Sequence, residues 1–190
     1  MVINHKVNSI IILTILGLVS LYFGIGGAVK NDIYNQISDK YDFSDTNKVL
    51  SSDGISYKNI ASFRLDQEEF KYSVIFPWLD STPEFIGTIF AACFFGMLGG
   101  VICILKDVAF KNKKIENIKY ILIPILGFFT GLIVIGVSYI VPTILVTGEN
   151  KLRPITLQFL SLFSGIYCLQ FYNFISELIS KRIFGAIKDN

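Results

Sequence analysis

Pro154–Ile179, PITLQFLSLFSGIYCLQFYNFISELI, is long and apolar enough to cross a bilayer as one helix, yet it carries a ladder of small and polar side chains. At about 100° per residue, Gln158, Ser161, Ser164, Gly165, Cys168, Tyr172 and Ser176 fall within roughly a third of the helical circumference. Thr156, Gln170, Asn173 and Glu177 share another face. Lipid suits neither face, so each calls for a neighbouring helix, a second copy of the chain, or water. The stretch therefore sets the class of the molecule and leaves open what the ladder touches.

The rest of the chain agrees with a membrane setting. Of 190 residues, 52% are hydrophobic, more than one soluble core of this size needs. Val7–Val29 is a second apolar run, read as a retained anchor rather than a cleaved signal because it exceeds a signal core in length. Pro83–Leu105 and Tyr120–Thr147 complete four spans, the latter longer than one crossing needs and expected to bend near Pro142. Small residues recur at spacings of three and four on the first three spans: Gly17, Ser20, Gly24 and Gly27; Ala92, Gly96 and Gly100; Gly127 and Gly131. Such strips let two backbones come close.

Charge fixes the expected topology. The segment 106–119 carries Lys106, Lys111, Lys113, Lys114 and Lys119 against Asp107 and Glu116, and the tail adds Lys181, Arg182 and Lys188. The positive-inside rule puts both on the cytoplasmic side. Segment 30–81 holds six basic residues against nine acidic ones and falls outside. The expected fold is an all-α four-helix transmembrane bundle with both termini cytoplasmic and a small extracytoplasmic α/β cap between spans 1 and 2. Its parts are an N-terminus (1–6), span 1 (7–29), the cap (30–81), span 2 (83–105), a basic loop (106–119), span 3 (120–147), an outer turn (148–153), span 4 (154–179) and a tail (180–190). Within the cap, Ile33, Ile37 and Tyr41 predict a short amphipathic helix continuing span 1, Ser52-Asp53-Gly54 predicts a turn, and Phe70–Phe76 reads as a strand.

Several chemistries are excluded by residue type. One histidine, His5, and the absence of a Cys-x-x-Cys pair argue against a metal site. Cys93, Cys103 and Cys168 lie in apolar runs and read as buried thiols, not as a disulfide framework. Ser161 and Ser164 have no accompanying base, so neither is a catalytic nucleophile, and no enzyme activity or cofactor is expected. Ionisable groups sit only near span ends, which ranks a coupled transporter below the other readings. With no basic domain outside the apolar runs, no nucleic-acid partner is expected.

Two functional classes remain. One is an oligomeric inner-membrane sensor or channel-like subunit, with Gln158, Ser161, Ser164, Gly165, Cys168, Gln170, Tyr172 and Asn173 as a polar seam or pore lining. In it, Lys111, Lys113, Lys114, Lys181 and Arg182 meet lipid or a cytoplasmic protein partner. The other is an accessory protein scaffolding a larger membrane complex. The surplus of small and polar faces favours a homo-oligomer, although one bundle could consume every stripe. The order of spans, carried by Val7–Val29, Pro83–Leu105, Tyr120–Thr147 and Pro154–Ile179, is similar to small four-span membrane subunits of bacterial antiphage defence systems, such as the membrane component of Kiwa. That resemblance implies an oligomeric sensor of the bacterial inner membrane working with a separate cytoplasmic effector. Claudin-like and tetraspanin-like proteins share the topology, but the cysteine-free outer segment departs from their disulfide patterns.

Overall fold

The structure, a computed structural model, describes residues 2–51, 54–111, 118–140, 146–147, 151–152 and 154–183. It is mostly helical: α1 is Val2–Ser38, α2 Ile60–Ser73, α3 Glu84–Lys111, α4 Lys119–Ile140, α5 Pro154–Ile166 and α6 Cys168–Ile183. Two short antiparallel ladders accompany them, β1 (Val49–Leu50) with β2 (Ser56–Tyr57) and β3 (Val146–Thr147) with β4 (Lys151–Leu152). Ser9–Ser38, Glu84–Val108 and Lys119–Ser138 are long and apolar enough to cross a membrane. This is consistent with a membrane protein.

The fourth stretch departs from the expected single helix. Ile155–Ile166 and Cys168–Phe174 qualify as a span only as a pair, and they meet at 98° at Tyr167. The helical bonds run up to the elbow, where the Tyr167 N–H donates to the Phe163 carbonyl, and resume beyond it with Phe171 to Tyr167. At 13 residues, α5 is roughly 20 Å long, short of the ~30 Å hydrocarbon layer.

The chain divides into two compact units, Ile25–Ala91 and the remainder, with α1 and α3 each contributing to both. In the first unit the helical repeat of α1 outlasts its apolar run. Ile33 and Ile37 keep one face buried against Ala61 of α2, with Val29, Tyr41, Phe43 and Leu65 packed around them. The expected helical continuation of span 1 is thus part of α1 itself, which closes where the Lys40 and Tyr41 N–H groups both donate to the Ile37 carbonyl. Between β1 and β2 the chain turns through Gly54, whose φ of +80° is left-handed and suits a residue without a Cβ. Residues 52–53 of the expected turn lie outside the described residues, as do Pro142 and residues 112–117 of the basic loop.

The expected strand at Phe70–Phe76 is instead the end of α2 and a turn, with the Ile75 and Phe76 N–H groups donating to the Tyr72 carbonyl. The helix wins because its start is strongly fixed. Asn59 and Ser62 form a capping box, and the Asn59 amide also donates to the Phe43 and Asp45 carbonyls at 2.7 and 3.1 Å. Once started, α2 aligns Ala61, Leu65 and Glu69 on its inner side.

In the other unit, Leu13, Val101 and Ile104 form a buried cluster with Leu16, Tyr120 and Ile123 against it. Phe94 stacks on Phe23 and meets Phe128 edge-on.

Asn59→Ala removes a helix cap and strands two partly buried carbonyls. It should destabilise the protein by about 2–4 kcal/mol, more than the ~1 kcal/mol of an ordinary cap. Thermal unfolding in mild detergent measures this.

Candidate functional site

Two polar constellations are built into apolar surroundings, one in each unit. The first begins at Lys30, where α1 leaves its apolar run. Its ammonium donates to Glu69 Oε1 at 2.5 Å and to the Leu79 carbonyl at 2.9 Å. Both side chains are nearly sealed from solvent, at 5% and 6% exposure. Beside them the Thr88 hydroxyl donates to Asn31 Oδ1 at 3.0 Å. Room for the lysine stem exists because position 87 is glycine: a Cβ there would lie 2.8 Å from Lys30 Cγ. Burial holds the Glu69 carboxyl above its ordinary range, with Lys30 pulling it back and Asp80 and Asp66 adding to the rise.

A buried ion pair is costly to half-dismantle. Removing one partner strands the other charge, at about 3–5 kcal/mol, whereas replacing both with apolar groups is often neutral. The Lys30–Glu69 contact therefore acts as a specific clasp between α1 and α2, more than as a net source of stability.

The second constellation is the ladder on α5 and the first residue of α6. Ser161 and Cys168 are fully buried, and Ser164 nearly so. Gly165 packs on the Gly96 backbone so closely that a Cβ would overlap the Gly96 carbonyl, and Gly99 meets the Leu162 carbonyl and Ile166 N–H in the same way. On its other side Gly96 abuts the Gly127 carbonyl of α4. Gly96 is therefore gripped by α4 and α5 at once. The buried hydroxyls of Thr130 and Ser138 bond carbonyls of their own helix, at 2.7 and 2.6 Å, and need no partner across the interface. Ser161 Oγ has no hydrogen-bond partner among the described residues.

The ladder is not continuous. Gln158 is half-buried on α5, while Gln170, Tyr172 and Asn173 lie beyond the elbow on α6, all three exposed. The bend at Tyr167 thus separates the sealed positions Ser161, Ser164 and Gly165 from α6, where Cys168 is still buried but Gln170, Tyr172 and Asn173 are open. Lys106 stands at this elbow, its ammonium 5.1 Å from the centre of the Tyr167 ring.

Of the small residues named from the sequence, Gly27, Gly96, Gly100, Gly127 and Gly131 sit at close backbone approaches, while Gly17 and Gly24 make ordinary contacts with side chains. Gly17 faces Val101, Gly24 faces Phe95, Gly27 meets the Gly87 carbonyl and Ala91, Gly100 meets Ile123 and Pro124, and Gly131 meets the Ala92 carbonyl. Ser20 is buried with its hydroxyl on the Leu16 carbonyl. Of the basic residues, Lys113 and Lys114 lie outside the described residues, while Lys111, Lys181 and Arg182 fall on the ends of α3 and α6. Among the described residues no group of three or more His, Cys, Asp or Glu side chains could hold a metal ion.

Sequence reading missed the Lys30–Glu69 clasp. The signal was faint: a lysine directly following an apolar run reads as a span boundary, and nothing local couples it to a glutamate 39 residues away. It also missed the elbow, since Tyr167 and its neighbours carry no proline. No family model, curated protein or solved structure matches the chain.

Three outcomes test this geometry. Glu69→Ala should cost about 3–5 kcal/mol, while Lys30→Met combined with Glu69→Leu should fall within ~1 kcal/mol of the unsubstituted protein. Because the folded-state value of Glu69 is raised, its titration contributes stability that is present below the unfolded carboxylate range and lost as pH rises through the folded value. Stability measured against Glu69→Gln should thus decline with rising pH just above the ordinary glutamate value of 4.5. Gly165→Leu should displace α5 and lower the melting temperature sharply, whereas Gly136→Leu, at a position with nothing within 4 Å, should not.

Proposed function

We propose that the chain is a non-enzymatic multi-span subunit of a bacterial cytoplasmic membrane, which receives a signal in its acidic outer segment and passes it to a cytoplasmic protein partner. The observation that carries this reading is α1. It is one helix of 37 residues, roughly 55 Å long, that runs from the apolar run into the hydrophilic segment. At that end Lys30 and Glu69 clasp it to α2. A displacement of α2 is thereby applied to a helix whose opposite end lies in the apolar part of the chain. The basic segment between α3 and α4 and the basic tail are the surfaces offered to the partner, and faces left open on one copy favour a homo-oligomer.

A pore along α5 is not part of the proposal. Ser161 is fully buried and Gly165 is occupied by Gly96, so that part of the ladder is filled by the chain's own helices. The architectural resemblance to antiphage subunits would make the partner a separate effector, and phage challenge of cells with and without that partner reads this role.

Affinity purification from mild detergent should recover a stoichiometric soluble protein, and the purified chain should be electrically silent in planar bilayers. Recovery of a larger membrane complex alone would favour the scaffolding reading. Discrete conductance steps would contradict the proposal.

A further inference from the structure

We propose that α6 is not the inner half of a fourth span but an amphipathic helix lying in the headgroup–acyl boundary of the leaflet that borders the basic loop. This rests on the membrane reading above. Its depth follows from contacts within one unit. Gly99 of α3 meets Ile166, and Lys106, about 10 Å further along α3, reaches the Tyr167 ring. Lys106 is also where the apolar run of α3 gives way to charge. The elbow therefore sits just inside the level at which α3 leaves the hydrocarbon.

Length gives the same depth independently. The roughly 20 Å of α5 falls about 10 Å short of a full crossing, and interfacial helices bury their apolar face about 5–10 Å into the boundary. From that point α6 departs at 98°, across the direction of α5 rather than along it.

The face pattern of α6 fits such a position. At about 100° per residue, Gln170, Asn173 and Glu177 share one side, and Cys168 and Phe171 lie on the opposite side with Phe174 flanking. Within one chain Cys168 is fully buried and Phe171 half-buried, while Tyr172 and Phe174, at the two edges of that side, are 54% and 59% exposed. A straight span would instead bring Asn173 and Glu177 towards hydrocarbon. The surroundings are basic on balance, with Lys106 and Lys111 in the last turns of α3, Lys119 at the start of α4 and Lys113 and Lys114 between them in sequence, against Asp107 and Glu116. That charge matches anionic headgroups, and we commit to the lipid boundary as what covers the exposed edges of the α6 apolar side, Tyr172 and Phe174.

The test is the depth of nitroxide labels placed singly at Gln170, Phe171, Asn173, Phe174 and Glu177. The chain carries Cys93→Ala, Cys103→Ala and Cys168→Ala and is reconstituted in vesicles of phosphatidylcholine and phosphatidylglycerol. Labels at Phe171 and Phe174 should collide with oxygen at shallow depth, and those at Gln170, Asn173 and Glu177 with a water-soluble nickel chelate. Depth that instead changes steadily along the helix, by about 1.5 Å per residue, would mean a spanning segment and overturn the proposal. A label at Phe174 closed to both reagents would mean a protein partner or a second copy covers that edge, which also overturns it. Labels at Phe129 and Leu132 of α4 separate the two claims: deep oxygen exposure there upholds the membrane reading whatever α6 does, and its absence sinks both. Should the cysteine-free chain fail to fold, Phe174→Trp with the native cysteines, quenched by lipids brominated at defined depths and compared with the unsubstituted chain, whose own tryptophan is Trp78, reads the same quantity.

Discussion

The close approach of three backbones at Gly96 is the constraint on which one whole unit depends. In lipid, no difference in hydrophobicity drives helices together, so they associate through van der Waals contact and through the few polar bonds they can form. Gly96 lies against the Gly127 carbonyl on one side and the Gly165 backbone on the other. Every heavier side chain at these positions would push α3 away from α4 or α5, and dispersion contacts fall off within fractions of an ångström. The burial of Ser161, Ser164, Thr130 and Cys168 follows from that approach.

In the other unit a different physics operates. Segment Ile25–Ala91 is too small and too polar to rest on apolar burial alone, and it is organised by directed bonds: the Lys30–Glu69 pair, the Asn59 capping box, and the Asn59 amide bridging two carbonyls. These interactions fix which residues meet more than how strongly. A buried pair that tolerates replacement only as a pair specifies the register of α1 against α2.

The apolar runs and the small-residue strips were legible in the sequence, because both are periodic and a period is a local property. Gly96, Gly100, Gly127 and Gly131 announce a close crossing through spacing alone, though not which helix each one meets. The Lys30–Glu69 clasp was hidden because it joins residues 39 apart, and the fate of Phe70–Phe76 because a capping box eleven residues upstream had already committed that stretch to a helix. The elbow at Tyr167 was hidden for a third reason. A ladder of polar side chains at helical spacing reads the same whether the helix is whole or broken, so the projection joined Ser164 to Tyr172 across a bend that sends them in different directions.

With the ladder divided, its two parts serve different ends. Above the elbow it is an internal seam closed by α3, and below it the polar side chains of α6 stand open. The claim that the upper part is dry is tested most directly by Ser161→Cys in sealed vesicles, challenged with a membrane-impermeant thiol reagent from each side in turn. Full burial of Ser161 predicts labelling no greater than that of the unsubstituted chain. Rapid labelling from either side would put water in the seam and contradict the account.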